Sequence, residues 1–269
     1  LHCMEQEGKE FWEVVLAADM EERQVSRESS LAKMLTTWQA MVDASDSYTG
    51  DRRSVSGLVG GDGLKMRQYA IRGKAMSGGY VSEVIAEALS MAESNACMRR
   101  IVAAPTAGAC GVLPAVLLPL CKYEELNQRQ ILEALYVASG IGAVIAYRAC
   151  IAGAAGGCQA EIGVAVSMAS AALCSMMTDD PDTIHCAASL GGQVLMGLLC
   201  NPIEGYVQVP CIVRNMAAVP TAVSCANAAL AGMDHIVPLD DVVALMLAVG
   251  EKIRPCDEAG TYILKKEEE

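Results

Sequence analysis

The chain has 269 residues, ample for a buried core, and 53% of them are hydrophobic although only 4% are aromatic, with a single Phe. A core with 24 Gly and so few rings forms by close approach of small residues, which argues against sandwiches and barrels built on aromatic and β-branched strands. Twenty Lys and Arg stand against 32 Asp and Glu, a net charge of −12 with no basic tract, so electrostatic binding of nucleic acid is excluded. Residues 1–50 read as a polar helical region, with Trp12, Val15 and Leu16, then Leu31, Met34, Leu35, Trp38 and Met41 at helical spacing. Between 43 and 63 the chain turns rich in Ser, Gly and Asp, a loop by composition. An amphipathic helix follows over 81–96, with Val84, Ile85, Ala88, Leu89 and Met91 inward. Residues 105–111 form a turn, and 112–121 and 128–151 read as helices. Glycines at 153–157 break the next segment, 161–177 is helical, and 179–182 is an acidic turn before a helix over 183–199. A loop over 201–210 holds a short extended piece at 206–209, and helices over 216–231 and 239–253 complete the set. With no internal repeat and no alternating strand set, the expectation is all-α: a compact bundle of helices rich in small residues. Residues 1–50 form its N-terminal region and 51–269 its main domain, continuous with it.

Uncharged runs such as 101–121, 162–178 and 183–203 approach the length that spans a bilayer. They are interrupted by Pro105, Pro114, Pro119 and Pro202 and carried on Gly, Ala, Ser and Cys, without aromatic belts. A soluble bundle with buried central helices is the expected outcome, and a small-residue membrane protein the rival. No apolar leader opens the sequence, so the twelve cysteines are read as those of a reducing cytoplasm. There they serve as small hydrophobes, metal ligands or nucleophiles. Cys121, Cys150, Cys174, Cys186 and Cys225 fall in apolar helical stretches and read as core. Cys158, Cys200 and Cys211 fall at helix–loop junctions, where a thiol leaves the core, with Arg214 close to the last. Three thiols without a close C-x₂-C pair are poor zinc spacing and suit an iron–sulfur cluster with one iron left without a protein ligand; junction cysteines packed as hydrophobes are the plainer alternative.

Four segments carry a more specific message. They are Ser56-Gly57-Leu58-Val59-Gly60-Gly61-Asp62, Ala104-Pro105-Thr106-Ala107-Gly108-Ala109-Cys110-Gly111, Gly157-Cys158-Gln159-Ala160-Glu161-Ile162-Gly163, and Cys200-Asn201-Pro202 continuing to Val209-Pro210-Cys211-Ile212-Val213-Arg214-Asn215. In this order the chain resembles the α subunit of the iron–sulfur-dependent bacterial L-serine dehydratases (L-serine ammonia-lyases), from about residue 57 to 227. The resemblance implies an all-α catalytic domain and a 4Fe–4S cluster on Cys158, Cys200 and Cys211, with ten residues between the last two. It implies no pyridoxal phosphate, because the open cluster iron acts as Lewis acid on the serine carboxylate and β-hydroxyl. Loss of the α-proton and the β-oxygen then yields aminoacrylate, which tautomerises and hydrolyses to pyruvate and ammonia. On this reading the glycine loops offer backbone N–H groups to the substrate carboxylate. The candidate substrate-binding set is Ser56, Gly57, Gly60, Gly61, Asp62 and Lys65, then Thr106, Ala107 and Gly108, then Arg214 and Asn215. Cys256 is left out of the ligand set, since its surroundings match the family loosely. The histidines, His2, His185 and His235, lie outside every matched segment, so the base for the α-proton is expected from a β subunit in a hetero-oligomer. A related lyase acting on L-cysteine or another small β-substituted amino acid is the competing activity.

Overall fold

In a computed structural model describing residues 8–73, 75–203 and 205–253, helices follow one another with a single isolated bridge, Ile203 to Tyr206, among the described residues. In chain order they are α1 (Phe11–Arg23), α2 (Arg27–Asp46), α3 (Asp62–Ile71), α4 (Gly78–Ala96), α5 (Val112–Tyr123) and α6 (Gln128–Arg148). They continue as α7 (Gly153–Cys158), α8 (Val164–Ser175), α9 (Pro181–Gln193), α10 (Gln208–Leu230) and α11 (Leu239–Gly250). A 3₁₀ turn (Ala107–Ala109) precedes α5, and a π turn (Gln159–Gly163) joins α7 to α8.

Residues 164–174, a run of Val, Ala, Ser, Met, Leu and Cys, are buried without exception, so α8 is the axis of the bundle. Helices α5, α6, α9 and α10 surround it. Close approach replaces large rings here: a Cβ on Gly191 would lie 2.8 Å from the Cα of Ser167, so α9 crosses α8 at a contact that admits only hydrogen. The serines of α8 are satisfied in place, Ser167 donating to the Ala188 carbonyl at 2.7 Å and Ser170 to Val166 at 2.7 Å. Three helical stretches, Gln128–Arg148, Gly153–Ser175 and Gln208–Leu230, are long and apolar enough to cross a membrane by length and composition. The stretch ending in α8 is 94% enclosed by protein, the burial expected of a bundle's central helix.

The N-terminal helices join the same core. Trp12, Leu16, Trp38 and Met41 belong to the cluster that contains α5, α6 and α8. The Tyr136 hydroxyl of α6 meets Ser30 of α2 at 2.7 Å, and Ser30 donates to Asp19 of α1, a buried polar chain across three helices.

Several elements differ from the sequence reading: the glycine stretch read as a break forms the short helix α7, and the extended piece expected at 206–209 gives way to helix from Gln208. Helix α3 occupies residues expected as loop or left unassigned. Helix α9 ends at Gln193 rather than near 199, where turns around Gly197 (φ 81°) take over. Helix α10 starts at Gln208, eight residues early, with Pro210 in its first turn, where the missing N–H would have had no helical partner anyway. Cys121 and Cys150 are half-buried rather than fully so, and Cys150 sits just after α6, not within it.

Candidate active site

Three chain segments converge at one end of the bundle. The first is the turn carrying Cys158, where Gly157 adopts φ 72° and ψ −176° and breaks the helix, a conformation that a side chain would strain. Gln159, fully buried, ties this turn to the loop ahead of Cys200: its N–H donates to the Leu198 carbonyl at 2.9 Å, and its Oε1 accepts from Gly197 at 2.8 Å. Its Nε2 donates to Met246 of α11 at 2.9 Å, so every polar atom of this side chain is used. The second segment is the loop with Cys200 and Asn201. The third is the first turn of α10, with Cys211, Arg214 and Asn215.

Arg214 joins all three. One guanidinium nitrogen donates to Cys158 Sγ at 2.6 Å and another to Asn201 Oδ1. The three thiols and Glu161 share one electrostatic environment. Burial pushes the Cys158 thiol up, opposed by the Arg214 charge and aided by Glu161, while hydrogen bonds from Arg214 and Cys200 favour the thiolate. Cys211 is pushed up to about 12, first by burial and then by Glu161, Cys158 and Cys200, with Arg214 opposing. Such thiols keep their protons until a metal replaces them. Among the described residues no three His, Cys, Asp or Glu groups close around a single metal ion. The chemistry of the donor set suits a multi-iron cluster: the thiols stand on three segments, Cys200 and Cys211 line a cavity of about 340 Å³, and the Arg214 guanidinium beside Cys158 would balance thiolate charge.

That cavity is lined by Cys200 and Cys211, by Gly108 of the 3₁₀ turn, and by Asn95, Glu161 and Gln208. Asn215, with no exposed surface, knits its wall: Nδ2 donates to the carbonyls of Gly108 (2.6 Å) and Cys211 (2.8 Å), and Oδ1 accepts from Gly111 at 3.0 Å. Asn95 donates to the Ala107 carbonyl at 2.9 Å. Thr106 gives its hydroxyl to Glu161. Ser56 donates to Gln208 Oε1 and so brings the 54–59 loop to the cavity rim, where Val59 packs with Leu89, Ala92 and Ile212.

Of the residues singled out in the sequence, Cys158, Cys200, Cys211, Thr106, Ala107, Gly108, Arg214, Asn215 and Ser56 thus gather here. Several are hydrogen-bonded within the chain. Arg214 is committed to Cys158 and Asn201, and Asn215 to backbone, because a fully buried amide must spend its bonds locally. Gly57 turns at φ 73° beside Ser56. The N–H groups of Gly61, Asp62 and Gly63 do receive a carboxylate, but it is the chain's own: Glu93 of α4 accepts from them at 3.1, 2.8 and 3.3 Å. Gly60 and Gly61 shape that corner, and Lys65 pairs with Asp62 at 2.7 Å on the exposed side. Cys256 and His2 lie outside the described residues. His185 accepts from the Leu239 N–H at 3.2 Å and stands edge-on to His235 at 5.0 Å, a pair between α9 and α11 that does not line the cavity. The sequence reading passed over Glu161, Gln159, Asn95 and Gln208. Glu161 and Gln159 stand inside the Cys158 segment, and two glycines that leave room for the Glu161 carboxylate, Gly108 and Gly153, were the available signal.

The chain matches the family model of the serine dehydratase alpha chain over residues 6–258. It is 35% identical over 239 residues to the probable L-serine dehydratase alpha chain of Bacillus subtilis (strain 168), an alignment covering 89% of this chain and 80% of that one. It is also 35% identical over 247 residues to the L-serine dehydratase alpha chain of Peptoniphilus asaccharolyticus, covering 91% and 85%. With L-serine dehydratase 2 of Escherichia coli (strain K12) it shares 43% over 166 residues, 61% of this chain and 36% of that protein. A match of this extent places the chain in the serine dehydratase alpha chain family.

Proposed function

We propose that this chain is the α subunit of a cytoplasmic L-serine dehydratase, converting L-serine to pyruvate and ammonia with an iron–sulfur cluster and without pyridoxal phosphate. The observation that carries the reading is the meeting of Cys158, Cys200 and Cys211 with Arg214 and Glu161 beside one cavity, in a chain of this family. Cys158, Cys200 and Cys211 hold a 4Fe–4S cluster, which supplies Lewis acidity toward the carboxylate and β-hydroxyl of serine. The surrounding residues hold and orient. Arg214 fixes the Cys158 sulfur and, through Asn201, the loop bearing Cys200. Asn215 fixes the Gly108 turn against the start of α10, so Gly108 lines the cavity and Thr106 and Ala107 are held beside it in one arrangement. Ala107, an exposed residue of this turn, offers its backbone N–H to the substrate carboxylate. Ser56 and Gly57 close the rim, and the corner from Gly60 to Lys65 holds them in place.

No histidine is among the described residues that line the cavity, and the acid among them, Glu161, has one oxygen bonded to Thr106. The α-proton base therefore comes from a β subunit, which covers the cavity in a hetero-oligomer. The chain would be reconstituted anaerobically, analysed for iron and sulfide, and assayed for pyruvate from L-serine and from L-cysteine, with and without a candidate β chain. About four irons and four sulfides per chain and pyruvate from serine only with the β chain are expected. Iron-free protein, or preferential turnover of cysteine, overturns the reading.

A further inference from the structure

Twelve described residues line the cavity beside the cysteines, and among them Glu161 is the one that carries a formal charge. Serine enters such a site as a zwitterion, and its ammonium group, once removed from water, requires an anionic partner. Asn95 and Gln208 are the other polar side chains with long reach, and each is engaged: Asn95 by the Ala107 carbonyl, Gln208 by the Ser56 hydroxyl. Glu161 is held differently. Its Oε1 accepts from Thr106, while its Oε2 has no hydrogen bond among the described residues.

The space for this carboxylate is built into two other segments. A Cβ on Gly108 would lie 2.6 Å from Oε1, and a Cβ on Gly153 would lie 2.8 Å from Oε2. Neither glycine has a positive φ, so these positions answer to the neighbour and not to the backbone. Glu161 also stands in the π turn that begins right after Cys158, so one wide turn sets the carboxylate relative to the sulfur.

We propose that Glu161 is the subsite for the α-ammonium group of the substrate and selects amino acids over 2-hydroxy acids. The inference rests on the dehydratase reading and specifies how that site recognises its substrate. Thr106 is a positioning residue, pinning Oε1 so that Oε2 is presented to the ligand.

The test uses the anaerobic α–β holoenzyme with L-serine and with glycerate, which keeps the carboxylate and β-hydroxyl but has a hydroxyl in place of the ammonium. Binding is read from ligand-induced changes in the visible spectrum and, for serine, from KM. Glu161→Gln is expected to weaken L-serine roughly 10- to 100-fold, the range of a lost charge-assisted bond. Glycerate binding should change less than about threefold, on the same ground that it lacks the charged partner. Iron content and the resting spectrum should stay as in the parent. Equal losses for both ligands, undiminished serine binding, or an altered resting spectrum each overturns the proposal. Should that variant fail to assemble, Gly153→Ala displaces the carboxylate while leaving it present, and the same serine-selective loss is required of it. Parent enzyme that makes no pyruvate from serine rejects the dehydratase reading itself, an outcome separate from any variant's behaviour.

Discussion

Glu93 offers a direct test of how the glycine corner is held. Helix α3 starts at Gly61, which has no side chain to cap it, and the acceptor comes instead from α4 across the interface. The carboxylate is 1% exposed and takes the N–H groups of Gly61, Asp62 and Gly63 together with the Tyr48 hydroxyl. In Glu93→Gln the amide oxygen is best placed at Oε2, where three donors meet, which leaves the amide nitrogen facing the Asp62 N–H. That orphaned donor costs about 1–3 kcal/mol. Each of the three remaining bonds drops from a charged to a neutral acceptor, about 1 kcal/mol apiece before relaxation. A loss of about 4–6 kcal/mol before relaxation follows, equivalent for a chain of this size to a fall in Tm of roughly 8–24 °C. Thermal unfolding by circular dichroism measures the total, and amide hydrogen exchange locates it: residues 61–64 should lose protection first. A change below about 2 °C in Tm, or exchange that rises evenly along the chain, refutes the capping argument. Tyr48→Phe removes one of the four partners and should cost about 1–2 kcal/mol, coupled to the Glu93 change rather than additive with it.

Replacing Cys158, Cys200 or Cys211 by Ser should bleach the visible absorption of the reconstituted protein, whereas Cys174→Ser, buried in α8, should leave it unchanged. Arg214→Lys keeps the charge but cannot reach both Cys158 and Asn201, so iron retention under air should shorten severalfold in a chelator-release assay. Burial, with His235 beside it, pulls the His185 imidazole below its ordinary value of 6.5 against the opposing pull of Asp240 and Asp182. The fold thus prefers the neutral ring; as pH falls below 6.5 the unfolded chain takes up the proton first, and stability declines. Denaturant midpoints between pH 7.5 and 5 should show that decline, and His185→Gln should flatten it.

What the sequence disclosed, and what it withheld, divides along the reach of the interactions. Helices α4, α5 and α6 stand where the sequence reads helices, and in α4 Val84, Ala88, Leu89 and Met91 are buried as their spacing requires while Ile85 is half-buried. The cysteine set came from junction positions together with the resemblance, not from ligand spacing, because cluster ligands set by tertiary convergence leave no short repeat to read. Helix α3 escaped because its N-terminus is capped from 30 residues away in sequence, by Glu93 on α4. The start of α10 escaped because Pro210 reads as a stop unless it is known to sit in a first turn.

The same reach explains the acids of α4. A helix with Val84, Ala88 and Met91 facing the core should turn Glu87 and Glu93 to water, yet both are buried. Helix α3 lies across that second face with Gly63 as its one buried residue and Met66 half-buried against the cluster of Val59, Leu89, Ala92 and Ile212, so apolar contact is only part of its docking. Arg67 of α3 pairs with Glu87 at 2.8 Å, and the N-terminus of α3 sits on Glu93. The glycine corner is thus fastened by charge to a helix whose other face belongs to the bundle core. Ser56, Leu58 and Val59, just before that corner, are the residues that reach α10 and the cavity rim. An electrostatic clasp between α3 and α4 is therefore what delivers this loop to the site, and the polar residues that periodicity assigns to solvent are the ones that make the clasp.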